Sequence, residues 1–129
     1  MGTLKATLTL NDTTTFSDVL NFSISDDLTT TDVSQGLTTI GVTNVGANNI
    51  IQSSLDGQTR YVFVRNTGTT DGSTGTSATV NVELTGDVIF GKLAAGEFCF
   101  LPVGGHSLGV QLQASSGTVQ CEYAFFTKG

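Results

Sequence analysis

Apolar and polar residues alternate along most of this chain with a period of two, the pattern of a strand with one buried face. Leu4, Ala6, Leu8 and Leu10 fall on one side, with Lys5, Thr7 and Thr9 on the other. Leu20, Phe22 and Ile24 repeat the rhythm around Asn21 and Ser23, and Ile40 and Val42 repeat it between Thr39 and Thr43. It returns over residues 80–84, 98–101, 108–114 and 119–125. Residues 60–65 are apolar on both sides in their middle, which predicts a strand in a sheet interior. Turn residues punctuate these runs at Asn11-Asp12, Gly46-Ala47-Asn48-Asn49, Asp56-Gly57, Gly86-Asp87 and Gly104-Gly105. Ser115-Ser116-Gly117, between two strong strands, predicts a tight hairpin. Residues 66–76 predict an exposed, mobile polar loop, and residues 26–35 an edge strand or a long loop. No window of ten residues carries a helical stripe. The expected fold is all-β: an antiparallel two-sheet sandwich, jelly-roll-like, with little or no helix and phenylalanines filling its core. It forms a single domain over residues 1–129.

Composition narrows the partners. Charged residues make up only 12%, and five Lys+Arg against eleven Asp+Glu give a net charge of −6. Lys5, Arg60, Arg65, Lys92 and Lys128 are dispersed, so no nucleic-acid partner is expected, because phosphate binding needs clustered cations. No apolar run is long enough to cross a bilayer, and residues 1–7 lack the apolar stretch of a secretory signal. The expectation is synthesis and assembly in a cytoplasm, with no membrane partner. Cys99 and Cys121, both within strand patterns, read as buried reduced thiols, with a disulfide between neighbouring strands as the alternative.

Candidate chemistry is sparse. Gly105-His106-Ser107-Leu108-Gly109 fits the G-x-S-x-G nucleophile elbow. The residues that follow alternate as a strand rather than a helix, and the single histidine lies inside the motif, leaving no separate base for Ser107. It reads as a glycine-rich turn. Asp26, Asp27 and Asp32 offer oxygen donors for Ca2+, but their spacing matches no EF-hand loop, so they read as solvated turn residues, as does Asp71. Glu83, Glu97 and Glu122 lie in or beside strands with nothing to make them converge as a carboxylate pair. Glu97 is expected to accept backbone amides or face solvent, and Arg60 and Arg65 to pair with Glu122 or Glu83. The sequence therefore gives no catalytic, cofactor-binding or metal-binding residue and no cofactor, and the chain reads as a non-enzyme.

The second half carries a likeness. An aromatic-aliphatic strand ends in Arg65-Asn66-Thr67, and a Gly/Thr/Ser loop leads to Val80-Asn81-Val82. The pattern L-x-x-G-E-F-x-F-x-P follows at Leu93, Gly96, Glu97, Phe98, Phe100 and Pro102, then V-x-x-E-Y at Val119, Glu122 and Tyr123. This layout resembles the small β-sandwich virion proteins of tailed bacteriophages, particularly those of marine and cyanobacterial hosts. The resemblance covers about half the chain. It implies a structural subunit of the virion, assembled in the bacterial host cytoplasm: a capsid decoration (cement) protein that binds the major capsid protein or other virion subunits. A homo-oligomer is implied, with a trimer favoured. The alternatives are a tail, neck or fibre-adaptor subunit, or a carbohydrate-binding module, which ordinarily stacks sugars on exposed Trp or Tyr. This chain has no Trp and two Tyr.

Overall fold

The structure, a computed structural model, describes residues 2–14, 20–51, 59–103 and 109–128, and for 31–36 the backbone alone. Nine strands are described: β1 (Gly2–Asp12), β2 (Leu20–Thr43), β3 (Asn48–Ile51), β4 (Arg60–Asn66), β5 (Val80–Leu84), β6 (Val88–Leu93), β7 (Phe98–Val103), β8 (Val110–Ala114) and β9 (Thr118–Lys128). They form two antiparallel sheets, ordered β1-β2-β9-β4-β7 and β3-β8-β5-β6.

The pairing is nested. β5 pairs with β6, β4 with β7, β3 with β8 and β2 with β9, as if one long two-stranded ribbon had been rolled up around the β5–β6 turn. Contacts of β9 with β4 and of β8 with β5 close the roll. This is jelly-roll topology, with β1 added at the outer edge of β2. The innermost turn, 85–87, has Gly86 at φ 98° and Asp87 at φ 63°. Glycine and aspartate are among the residues that tolerate the left-handed region such a tight reversal needs.

The two sheets enclose an aliphatic core. Val42, Val62, Val64, Val80, Val82 and Val110 are sealed from solvent, together with Leu112, Val119 and Cys121. β-branched side chains suit this position because their restricted χ1 loses little on packing against a pleated surface. Two expectations fail. Phenylalanine does not fill the core, since Phe125 is the only one in the core cluster among the described residues. The tight hairpin at residues 115–117 also does not form, because β8 and β9 lie in different sheets. The connection passes between the layers instead. Gly117 takes φ 59°, its carbonyl accepts the Asn44 amide, and the Ser115 amide donates to the Thr79 carbonyl.

The eight strand segments predicted from the sequence fall in seven of the nine strands. Leu20–Ile24 and Ile40–Val42 belong to one strand, β2, which runs between β1 and β9, so residues 26–35 are neither a sheet edge nor a loop. β3 begins on Asn48 and Asn49, which read as turn, and neither β3 nor β6 was foreseen. Residues 60–65 do form an interior strand, flanked by β9 and β7.

Within β2 the pairing to β9 slips three times between Thr30 and Thr38, so the nine residues 30–38 of β2 run against the six residues 123–128 of β9, three extra on β2. An odd number of extra residues exchanges the two faces of a strand. Even-numbered residues before the bulges therefore face away from the second sheet, whereas Ile40 and Val42 after them face the core.

Candidate interaction surface

β1 and the first half of β2 form a two-stranded ribbon in unbroken register, with Leu8 opposite Ile24 and Leu10 opposite Phe22. One face of the ribbon is hydroxylic. Thr7 Oγ1 and Ser25 Oγ lie 2.9 Å apart, Thr9 Oγ1 donates to Ser23 Oγ at 3.1 Å, and Lys5 Nζ meets Asp27 Oδ1 at 3.4 Å. The other face is apolar. It continues onto the outer side of the five-stranded sheet, because Thr30 at its end is paired with Lys128 of β9, whose even-numbered residues point outward.

That outer side is aromatic. Tyr61 and Phe63 of β4, Phe98 and Phe100 of β7 and Phe126 of β9 share it, and the register places Phe63 opposite Phe100 and Tyr61 opposite Phe126. Rings interact diagonally across strands: Tyr61 and Phe100 stack with centroids 6.4 Å apart, and Phe63 and Phe98 meet tilted at 6.3 Å. The ribbon and this side together line an apolar groove of about 850 Å3. Tyr61 and Ala124 are buried in it, while Ile24 and Phe98 are each 62% exposed. Leu8, Leu10, Leu20, Phe22 and Phe100 also stand open to solvent. Seven large apolar side chains on one continuous face exceed what an isolated soluble domain ordinarily leaves uncovered.

The sequence motifs serve the fold beside this face. Asn66 is fully buried. Its Nδ2 donates to the carbonyls of Ala78 and Leu93, both at 3.1 Å, and its Oδ1 accepts the Gly68 amide at 2.8 Å. In the turn between β6 and β7, Glu97 Oε2 accepts the Ala94 amide at 2.7 Å, as expected of this residue, and Gly96 adopts φ 84°. The Leu93 to Pro102 motif is thus a braced turn feeding the aromatic strand β7.

Residues 66–76, expected to be mobile, are a hydrogen-bonded hairpin laid along β9. Thr67 Oγ1 donates to the Gln120 carbonyl at 2.6 Å, and the Gln120 amide donates to the Thr69 carbonyl at 2.8 Å. At its exposed tip the Asp71 carboxylate accepts the amides of Thr74 and Ser73, which lower its pKa to about 2.

Other candidates are dispersed. Asp26 and Asp27 are consecutive strand residues and so point to opposite faces, Asp26 onto the groove and Asp27 toward Lys5. They are not turn residues and cannot share a cation; the Asp32 side chain lies outside the described residues. Among the described residues no three His, Cys, Asp or Glu gather as metal ligands. The elbow residues His106 and Ser107, and the Asp56-Gly57 turn, also lie outside them. Glu83 is buried and accepts Gln111 Nε2 at 3.4 Å, a nitrogen that also reaches Asp87 Oδ1 at 3.0 Å. Arg65 pairs with Glu122 at 3.2 Å. The three glutamates thus occupy separate places.

Both thiols are free. Cys99 and Cys121 lie on β7 and β9 with β4 between them and are offset by two residues along the strands, so they are separated by more than two strand spacings of about 4.8 Å each, beyond disulfide reach. Burial raises the pKa of both, that of Cys121 to about 12. Comparison of the chain with protein families, with curated proteins and with solved structures gives no match.

The apolar outer face went unrecognised in the sequence because alternation says which residues share a face, not which face is buried. The available signal was β4, apolar on both sides: an interior strand with two apolar faces has something on each.

Proposed function

We propose that this chain is a non-enzymatic structural subunit of a tailed-bacteriophage virion, a capsid decoration protein that binds the shell of major capsid protein and reinforces it. The observation that carries the reading is the exposed apolar face of the five-stranded sheet: a continuous apolar surface of this size marks a site of contact with another molecule. A jelly roll suits the role, because its rolled ribbon is rigid and its exterior is free to dock. The resemblance carried by residues 60–128 supplies the virion context. Low charge density fits too, since few ions need desolvating when a contact forms.

Gold-labelled antibody against the chain, applied to intact particles, tests this. Label distributed over the capsid is the expected result. Label confined to the tail or neck would reject the capsid assignment in favour of a tail subunit, and unlabelled particles that lack the chain by mass spectrometry would reject the virion reading altogether.

A further inference from the structure

The outer face has two ends, and among the described residues the large apolar side chains of both stand exposed. The groove takes in Leu4, Ala6 and Leu8 of the ribbon, but Leu10, Leu20 and Phe22 at the ribbon's far end do not line it. On the opposite flank Phe98 and Phe100 lie on β7, the other edge strand of the same sheet, and are only partly shielded by their neighbours.

We propose that this face is an interface between two copies of the chain related by a two-fold axis, with the β1–β2 ribbon of each, Ile24 included, packed on Phe98 and Phe100 of the other. The proposal rests on reading the face as one that is covered in an assembly, and it requires no virion.

Area, charge and shape favour a second copy. Taking about 200 Å2 for a fully exposed large apolar side chain, the exposed part of this face sums to on the order of 700 Å2, close to the roughly 800 Å2 each partner buries in a standard interface. Two copies each carrying a charge of −6 repel, so they can meet closely only where charge is sparse. The far end of the ribbon and the aromatic pair on β7 supply such surfaces. Ribbon and aromatic pair lie on the same face of the same molecule, so in a two-fold contact each copy both gives and receives, and the assembly closes at two. The hydroxyl ladder on the back of the ribbon then becomes the wetted exterior.

The test uses the isolated full chain. Light scattering coupled to gel filtration is expected to give twice 13.4 kDa, a mass that persists with added salt. Ile24→Asp and Phe98→Asp are each expected to give monomer with an unchanged far-ultraviolet circular dichroism spectrum, because both side chains are already exposed. Val45→Asp, 83% exposed and away from this face, is expected to leave the mass unchanged. Should either variant lose its fold, chains carrying Ile24→Cys, mixed with tagged chains carrying Phe98→Cys and oxidised, are expected to form mixed disulfide dimers. Monomeric wild-type protein, an oligomer that survives both charged substitutions, or no mixed dimer would overturn the proposal. None of these outcomes depends on where particle labelling falls.

Discussion

Asn66 is a fully buried polar residue with three side-chain hydrogen bonds. Its one side chain joins the end of β4 to the strand leading into β5 and to the end of β6. Alanine there would strand two carbonyls and an amide in the interior. Asn66→Ala is expected to cost about 3 kcal/mol, read as a lowered urea midpoint with an unchanged m-value. Cys121 makes the stability of the protein depend on alkaline pH. Its thiol is buried and its pKa rises from 9.0 to about 12. Between those values the unfolded chain loses the proton while the folded chain keeps it. The contribution is therefore fully present below pH 9 and is lost as pH rises toward 12, by at most about 1.4 kcal/mol per pH unit for one proton. Cys121→Ala is expected to flatten this decline relative to wild type in denaturant titrations taken across that range. Cys99, raised in the same direction, retains part of the slope.

Among the elements, the hairpin over residues 66–76 is held by backbone geometry as much as by its hydroxyls. Gly68 lies at φ 73°, and a Cβ placed there would come within 3.1 Å of the Ala95 Cβ in the β6–β7 turn. Gly68→Ala is expected to destabilise by roughly 1–2 kcal/mol through the left-handed backbone alone, measured by thermal unfolding. The glycines and threonines of this segment announced a loop. They did not announce its closure, because that depends on β9, some fifty residues away in sequence, presenting Gln120 to Thr67 and Thr69. β2 shows the same division. Alternation at Leu20, Phe22 and Ile24 and at Ile40 and Val42 was plain, and correctly marked strand. The three slips that turn one set outward and the other inward arise from pairing with β9 and leave no periodic trace. The all-β class and the two sheets were therefore legible in the sequence. The outward side was not: for Phe22 it is fixed by the parity of the bulges in β2, and for Phe63, Phe98, Phe100 and Phe126 by which side of β4, β7 and β9 the second sheet covers, neither of which is a local pattern.

For the molecule as a whole, nesting sets the folding problem. Only β5 and β6 are joined by a short turn within one sheet of the roll, and each further pair, out to β2 with β9, brings together segments increasingly distant in sequence. Loops of that length are closed before their contacts reward them, so refolding from denaturant is expected to be slow, on the order of seconds, when followed by stopped-flow circular dichroism. The same arrangement has a mechanical side. β2 is one unbroken strand that serves as a ribbon at one end and as sheet at the other. A pull along that strand, applied through whatever grips the ribbon, meets the rungs joining it to β9 side-on and loads them together, instead of peeling them one at a time. The ribbon is thus a tether whose anchorage is the sheet itself.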